Sequence, residues 1–383
     1  MPGVNNNSTR WQRVEEVLLT HYHAPDIEAA RALYSAFAAH HLSGPPVWPM
    51  IVAPPGSLKT EMLNALSNEK NTHFIDQITP NTFISGQIER PGQKSNAPPG
   101  LLHRIGSNGI MVFSDFSTIL AMPTDRRAGI LADMRRIYDG RLRKEYGTAA
   151  ASTKSREWAG RITFIVAATP DVDSHYSIFQ SLGERFVMVR CRRPDGTDAA
   201  LAAMRQEGAQ ARQELAEAVH RLLQVLPKGE PQSPDAIDRR IAALAEVVVR
   251  ARTHVPRDGY RKEITYVPEP EAPTRLAQQL FQLAKGSALL DCQAVVTEQD
   301  YAMVCRVGMD CIPSARRRIL EYFLTGDERL LATLPGSTRT YAEQDLEAVG
   351  LVKDVGISAD LSLEALRLIG DAGLYEYYSN RQR

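Results

Sequence analysis

A lysine, two hydroxyls and an acid, each at the end of a short apolar run, are the residues of this chain best spaced for chemistry. Ala53 to Thr60 reads Ala-Pro-Pro-Gly-Ser-Leu-Lys-Thr. The apolar run Val47 to Val52 leads into it, and a helical stretch from near Glu61 to about Ser67 leads out. Strand, tight loop, lysine, hydroxyl, helix is an order suited to a polyphosphate. Backbone N–H groups face the phosphates, the lysine reaches the terminal ones, and the hydroxyl holds magnesium. Pro55, Gly56, Ser57, Leu58, Lys59 and Thr60 are therefore candidate contacts to ATP, with Thr60 a candidate Mg2+ ligand. The usual pattern has glycine where Ala53 and Leu58 stand, and only Gly56 remains. The competing reading is a surface turn with an exposed lysine.

The acid comes next. Gly109-Ile-Met-Val-Phe-Ser-Asp115-Phe reads as a buried parallel strand with Asp115 emerging at its carboxyl end. Ligands of such sheets sit outside that edge. Asp115 is thus a candidate metal ligand and catalytic residue across from Thr60; the alternative is a carboxylate that caps the next turn. A carboxylate pair would let one orient the metal and the other activate water, but the following residue is Phe116. In a second register Asp115 is itself the base and the metal-orienting acid is missing. Asp133, Asp139 or Glu145 could supply the absent carboxylate. A further strand over Arg161 to Ala168 ends in Thr169, placed to position water and the terminal phosphate. Arg185 precedes a last strand, Phe186 to Val189. It is a candidate to reach a neighbour's nucleotide in trans, against an ion pair to Glu184 or Asp173.

Bulk properties bound the rest. With 383 residues the chain can hold two or three domains. Lys plus Arg equals Asp plus Glu at 45 each, which argues against a purely electrostatic nucleic-acid binder but not against a local basic groove. The four cysteines have no tight paired spacing and read as reduced. No long apolar stretch or apolar signal core is evident, so a cytoplasmic protein with no membrane partner is expected. Trp11–Tyr22 and 26–41 have helical spacing. Thr124 to Tyr138 reads as a basic helix, and Arg141, Arg143 and Lys144 continue it as a helix-loop stretch that could face a polyanion. Long helices are expected over 198–226, 235–252, 274–284, 298–307 and 313–324. Two short helices around Pro335-Gly336-Ser337, then a strand-like exit, suggest a winged helix-turn-helix. Arg316, Arg317, Thr338, Arg339, Gln344 and Lys353 are its candidate DNA contacts.

The order of loop, Asp115 strand, Thr169 strand, Leu182-x-x-Arg185-Phe186, helical region and winged helix resembles the AAA+ ATPases, within them the helicase branch that includes the MCM proteins. Gly109 to Phe116 is similar to that branch's Walker B strand, and Leu182 to Phe186 to its arginine-finger segment. Pro270-Glu-Ala-Pro-Thr-Arg275-Leu is similar to its lid-helix entry, which implies Arg275 as a nucleotide sensor. The resemblance spans roughly residues 45 to 355 and is closest to compact forms encoded by phages, plasmids or integrated elements. It implies an α/β fold: a P-loop AAA+ core of three αβα layers on a parallel sheet, with a helical lid and a C-terminal winged-helix domain. The divisions would be 1–44 (helical segment), 45–195 (core), 196–310 (helical insert and lid) and 311–383 (winged-helix-like). It further implies ATP and Mg2+, a hexameric ring of this chain, DNA, and element-encoded replication proteins as partners. The reaction would be ATP hydrolysis coupled to DNA unwinding or remodelling. The alternatives are an ATP-gated oligomeric scaffold with little hydrolysis and a DNA-binding regulator.

Overall fold

The computed structural model describes residues 10–85, 100–146, 154–175, 184–193, 196–205 and 208–382. Its strands, in chain order, are β1 (Trp48–Val52), β2 (Thr72–Ile75), β3 (Asn108–Phe113), β4 (Arg141–Tyr146), β5 (Lys154–Ala159), β6 (Arg161–Ala168), β7 (Phe186–Arg190), β8 (Val352–Lys353) and β9 (Asp360–Leu361). The first helices are α1 (Arg10–His21), α2 (Ile27–Ala39), α3 (Lys59–Asn64), α4 (Leu101–Ile105), α5 (Ser117–Leu120) and α6 (Thr124–Tyr138). After the sheet come α7 (Gly196–Arg205), α8 (Gly208–Leu223), α9 (Asp235–Arg252), α10 (Thr274–Leu290) and α11 (Glu298–Asp310). The chain ends with α12 (Ser314–Thr325), α13 (Arg329–Ala332), α14 (Gly336–Ala348), α15 (Leu363–Asp371) and α16 (Leu374–Gln382).

Five strands form one parallel sheet in the order β2-β3-β6-β1-β7. Parallel strands need both faces covered, and the sequence complies: every residue of β1 is buried, as is all of β6 after Arg161. The chain leaves β1 for the β2 edge, returns through β3 and β6, and then passes β1 to lay down β7. The direction of winding therefore changes at β1, and the crevice outside its carboxyl end is the favoured ligand position of such sheets. Trp48 anchors the opposite end. Its ring meets Phe164, Tyr138 and Phe186 at centroid distances of 4.5, 5.0 and 5.4 Å, and its Nε1 donates to the Ile162 carbonyl at 2.8 Å.

Helices α2 and α10 cross at close range. A Cβ on Gly286 would lie 2.1 Å from the Ser35 carbonyl oxygen, so only glycine admits this contact. That packing explains why α10 runs through Gly286 to Leu290 instead of stopping at 284. Asp26 caps α2 by accepting from the Ala29 N–H at 3.1 Å, and Thr297 with Asp300 forms a capping box at the start of α11. The stretch expected as a continuous helix over 198–226 is two helices, α7 and α8. The basic stretch after α6 is a strand, not helix-loop: β4 pairs antiparallel with β5. Alternation explains it, because Leu142 and Trp158 point inward while Arg141 and Arg143 face out. No helix among the described residues is long and apolar enough to cross a membrane.

Candidate functional site

The loop between β1 and α3 is tight and locally satisfied. Gly56 has φ of +78°, the left-handed region, and a Cβ there would meet nothing within 4 Å. Glycine is therefore required for conformation, not for space. Ser57 closes the turn, its Oγ donating to the Pro54 carbonyl at 2.7 Å. Leu58 has φ of −67° and so needs no glycine; its side chain packs on the core. Ala53 is fully buried, with its N–H on the Ala168 carbonyl at 3.1 Å. Both departures from the glycine pattern thus sit in conformations open to any L-residue or in a filled position. Helix α3 is shorter than expected, ending at Asn64, and carries no side-chain cap. The N–H groups of its first turn thus lack the intrahelical acceptors that later turns have.

Lys59 reaches back over the sheet edge. Its Nζ donates to the carbonyls of Ala53 and Ala168 at 3.3 and 3.4 Å, bridging the ends of β1 and β6. Burial pushes its pKa down, and the charges of Asp115 and Cys191 oppose that without cancelling it. Thr60 is exposed.

Asp115 lies two residues beyond β3, exposed, and its Oδ1 accepts from the Ser117 N–H at 3.0 Å. It does cap the next turn, as the alternative reading held, while its exposure leaves it facing solvent at the edge. Phe116 is fully buried: its ring sits 5.4 Å from Phe186 and its N–H donates to the Ala167 carbonyl at 2.7 Å. That position belongs to the core. Of the substitute carboxylates, Asp133 is paired with Lys144 at 2.5 Å, Asp139 with Arg185, and Glu145 with Arg143. Thr169 follows β6 directly. Its N–H meets the Ser117 Oγ at 3.4 Å and its Oγ1 lies 3.5 Å from the same atom. Ser117 thus ties the Asp115 turn to Thr169, a link that sequence reasoning missed; the Asp-x-Ser spacing of a local turn was its signal. Pro170–His175, directly after Thr169, form a 3-10 turn, and residues 176–183, including Leu182, lie outside the described set.

Three strand ends, after β1, β6 and β3, therefore bring Lys59, Thr60, Thr169 and Asp115 to one edge across three adjacent strands. The donor set is hydroxyl and carboxylate oxygen, which suits a hard cation such as Mg2+. Among the described residues no three His, Cys, Asp or Glu side chains cluster as a metal set. A cation here would thus complete its shell with phosphate and water oxygens, as Mg2+ commonly does. Beside the loop, a notch of about 20 Å³ lies between 23–26, 57–58 and 191–192.

Arg185 and Arg275 are not at this edge. Arg185 precedes β7 and forks onto Asp139 at 3.1 and 3.2 Å, with its side chain 9% exposed. Its carbonyl accepts from Gln279 Nε2 at 2.5 Å, which seats the start of α10 at the amino end of the sheet. Arg275, one turn earlier on α10, lies 3.5 Å from Glu271. Neither shares the Lys59 crevice.

The DNA candidates divide. Arg316 is buried and donates to the carbonyls of Ala251 and Thr253 and to Asp345 at 2.8 Å. Arg317 pairs with Asp310 and lies 3.5 Å from Glu321. Through these acceptors both residues brace α12. Gln344 accepts from Arg257 Nη1 at 3.1 Å. Thr338, Arg339 and Lys353 are exposed, on α14 and β8. No family model matches the chain, and no curated protein matches it.

Proposed function

We propose that this chain is an ATPase of the AAA+ kind that binds ATP-Mg at the carboxyl edge of its sheet and couples it to remodelling or unwinding of DNA. The observation that carries this reading is the arrival of Lys59, Thr60, Asp115 and Thr169 at one edge, beyond the carboxyl ends of the three adjacent strands β1, β3 and β6, at the point where the winding reverses. Lys59 would exchange its two carbonyl acceptors for oxygens of the terminal phosphates. Thr60 and Asp115 would hold Mg2+, which when bound neutralises charge on the β- and γ-phosphates. Thr169, held by Ser117, would orient water toward the γ-phosphate. Because Arg185 and Arg275 lie at the opposite edge, they would act only on the nucleotide of a neighbouring copy, which is what a ring provides. Arg185 would have to leave Asp139 to do so. Thr338, Arg339 and Lys353 would meet the DNA backbone.

One observation favours a second reading, an ATP-gated scaffold with little turnover. Phe116 is core, and each carboxylate considered as a substitute is held in an ion pair. Phosphate release by the purified protein with ATP and Mg2+, with and without single-stranded and duplex DNA, separates the two. DNA-stimulated release lost in Lys59→Ala supports the motor. ATP-dependent oligomers without release support the scaffold. Absence of ATP binding sinks both.

A further inference from the structure

Arg190 ends β7 opposite Val52, the last residue of β1 before the loop. It is committed on several sides at once. Its N–H donates to Asp310 Oδ2 at 2.9 Å and its Nε to the Asp310 carbonyl at 2.8 Å. Its two Nη groups fork onto both oxygens of Asp173 at 2.9 and 2.6 Å. Its own carbonyl accepts from Arg306 Nη2 at 2.9 Å. The side chain is 10% exposed. A planar fork of this kind cannot be reproduced by lysine.

The two carboxylates lead in different directions. Asp173 lies in the 3-10 turn that begins beside Thr169, and the Val172 N–H donates to the Thr169 carbonyl at 3.1 Å. Asp310 closes α11 and also receives Arg317 of α12. Arg306 of α11 continues the chain of contacts to both oxygens of Asp26, at 2.6 Å each, and to Glu28 at 2.9 Å. Glu28 in turn is bonded by Arg381 of α16. A solvent-open cleft of about 430 Å³ is lined by Arg190, Asp310, Tyr377 and Tyr378.

We propose that Arg190 is a positioning residue of the nucleotide site. It fixes the turn that carries Thr169 and ties that turn to α11, so that a filled terminal-phosphate position is felt at the C-terminal helices. The inference rests on the ATP reading above. An ion pair that served stability alone would lower the melting temperature without changing which nucleotide is preferred. A positioning role instead makes the loss specific to the triphosphate, because ADP has no phosphate at Thr169.

The test is calorimetric titration of ATP and ADP, each with Mg2+, into the wild type, Arg190→Lys and Asp173→Asn, with hydrogen exchange read over 170–175 and 374–382. The wild type is expected to prefer ATP and to gain protection in both segments when ATP is added. Each variant is expected to keep its ADP affinity within about twofold, lose about tenfold in ATP affinity, and lose the protection gained over 374–382. An unchanged ratio of ATP to ADP affinity in folded variants overturns the proposal and leaves the ATP reading intact. A wild type that binds neither nucleotide overturns both.

Discussion

Replacing Phe116 by glutamate would set, on paper, a second carboxylate beside Asp115. The structure predicts that it breaks the core instead. Phe116 is fully buried, its ring 5.4 Å from Phe186, and its backbone is fastened to Ala167 at 2.7 Å. Losing a buried phenyl group costs about 3–5 kcal/mol. The carboxyl group that replaces it enters an apolar site, which disfavours its ionised form and raises its folded pKa above the unfolded value of about 4.3. The unfolded chain then releases its proton first as pH rises, so the destabilisation grows with pH by up to about 1.4 kcal/mol per unit. Urea unfolding at pH 5 and pH 8 reads both terms, with Phe116→Leu as a control costing about 1.5 kcal/mol. Phe116→Glu is expected to lose about 4 kcal/mol or more at pH 8, less at pH 5, and to gain no phosphate release. A loss under about 1 kcal/mol together with faster phosphate release would show that the position faces the site, and the assignment of Phe116 to the core would fall.

Other perturbations follow from the same geometry. Removing the His40 imidazole tests a buried neutral base: burial and the charge of Arg161 hold its pKa down to about 3 from 6.5, and its Nδ1 lies 2.9 Å from the Thr163 hydroxyl. Below pH 6.5 the unfolded chain takes up a proton that the folded one refuses, so stability falls by about 1.4 kcal/mol per unit down to about pH 3, a slope that His40→Asn removes in pH-dependent urea unfolding. Asp310→Ala strips Arg190, Arg306 and Arg317 of a shared buried partner and should cost about 3–5 kcal/mol by chemical denaturation. Arg339→Glu with Lys353→Glu should weaken duplex binding and flatten its salt dependence, the slope falling by about one for each phosphate no longer neutralised, read by anisotropy over a salt series. Arg316→Ala should instead show itself in thermal unfolding, with a loss of about 3 kcal/mol, because its guanidinium holds Asp345 and two carbonyls.

The sheet was legible because buried parallel strands leave unbroken apolar runs. The runs at 47–52, 109–113, 161–168 and 186–189 lie within a residue of β1, β3, β6 and β7. The loop's place at the carboxyl end of β1 followed from the same runs. What the runs could not carry was pairing. The β4–β5 hairpin alternates charged and apolar residues, and its arginines resemble a helical basic stretch until Leu142 and Trp158 are placed facing inward. Gly286 resembles a helix end, yet it permits the contact of α10 with Ser35. The role of an arginine was least legible of all. Arg185, Arg316 and Arg317 are spaced like ligand-binding residues, and only tertiary contacts reveal Asp139, Asp345 and Asp310 as their partners. Arg190 gave no signal in the sequence, because its two carboxylates lie 17 and 120 residues away.

Calorimetric titration of ATP-Mg into the wild type, Lys59→Ala and Asp115→Ala addresses the carboxyl-edge site most directly. The wild type should bind, Lys59→Ala should lose about tenfold or more in affinity because a charge-assisted bond to phosphate is gone, and Asp115→Ala should lose its response to Mg2+. Equal ATP affinity in the wild type and Lys59→Ala, with both folded, would contradict the account and place any nucleotide elsewhere on the molecule.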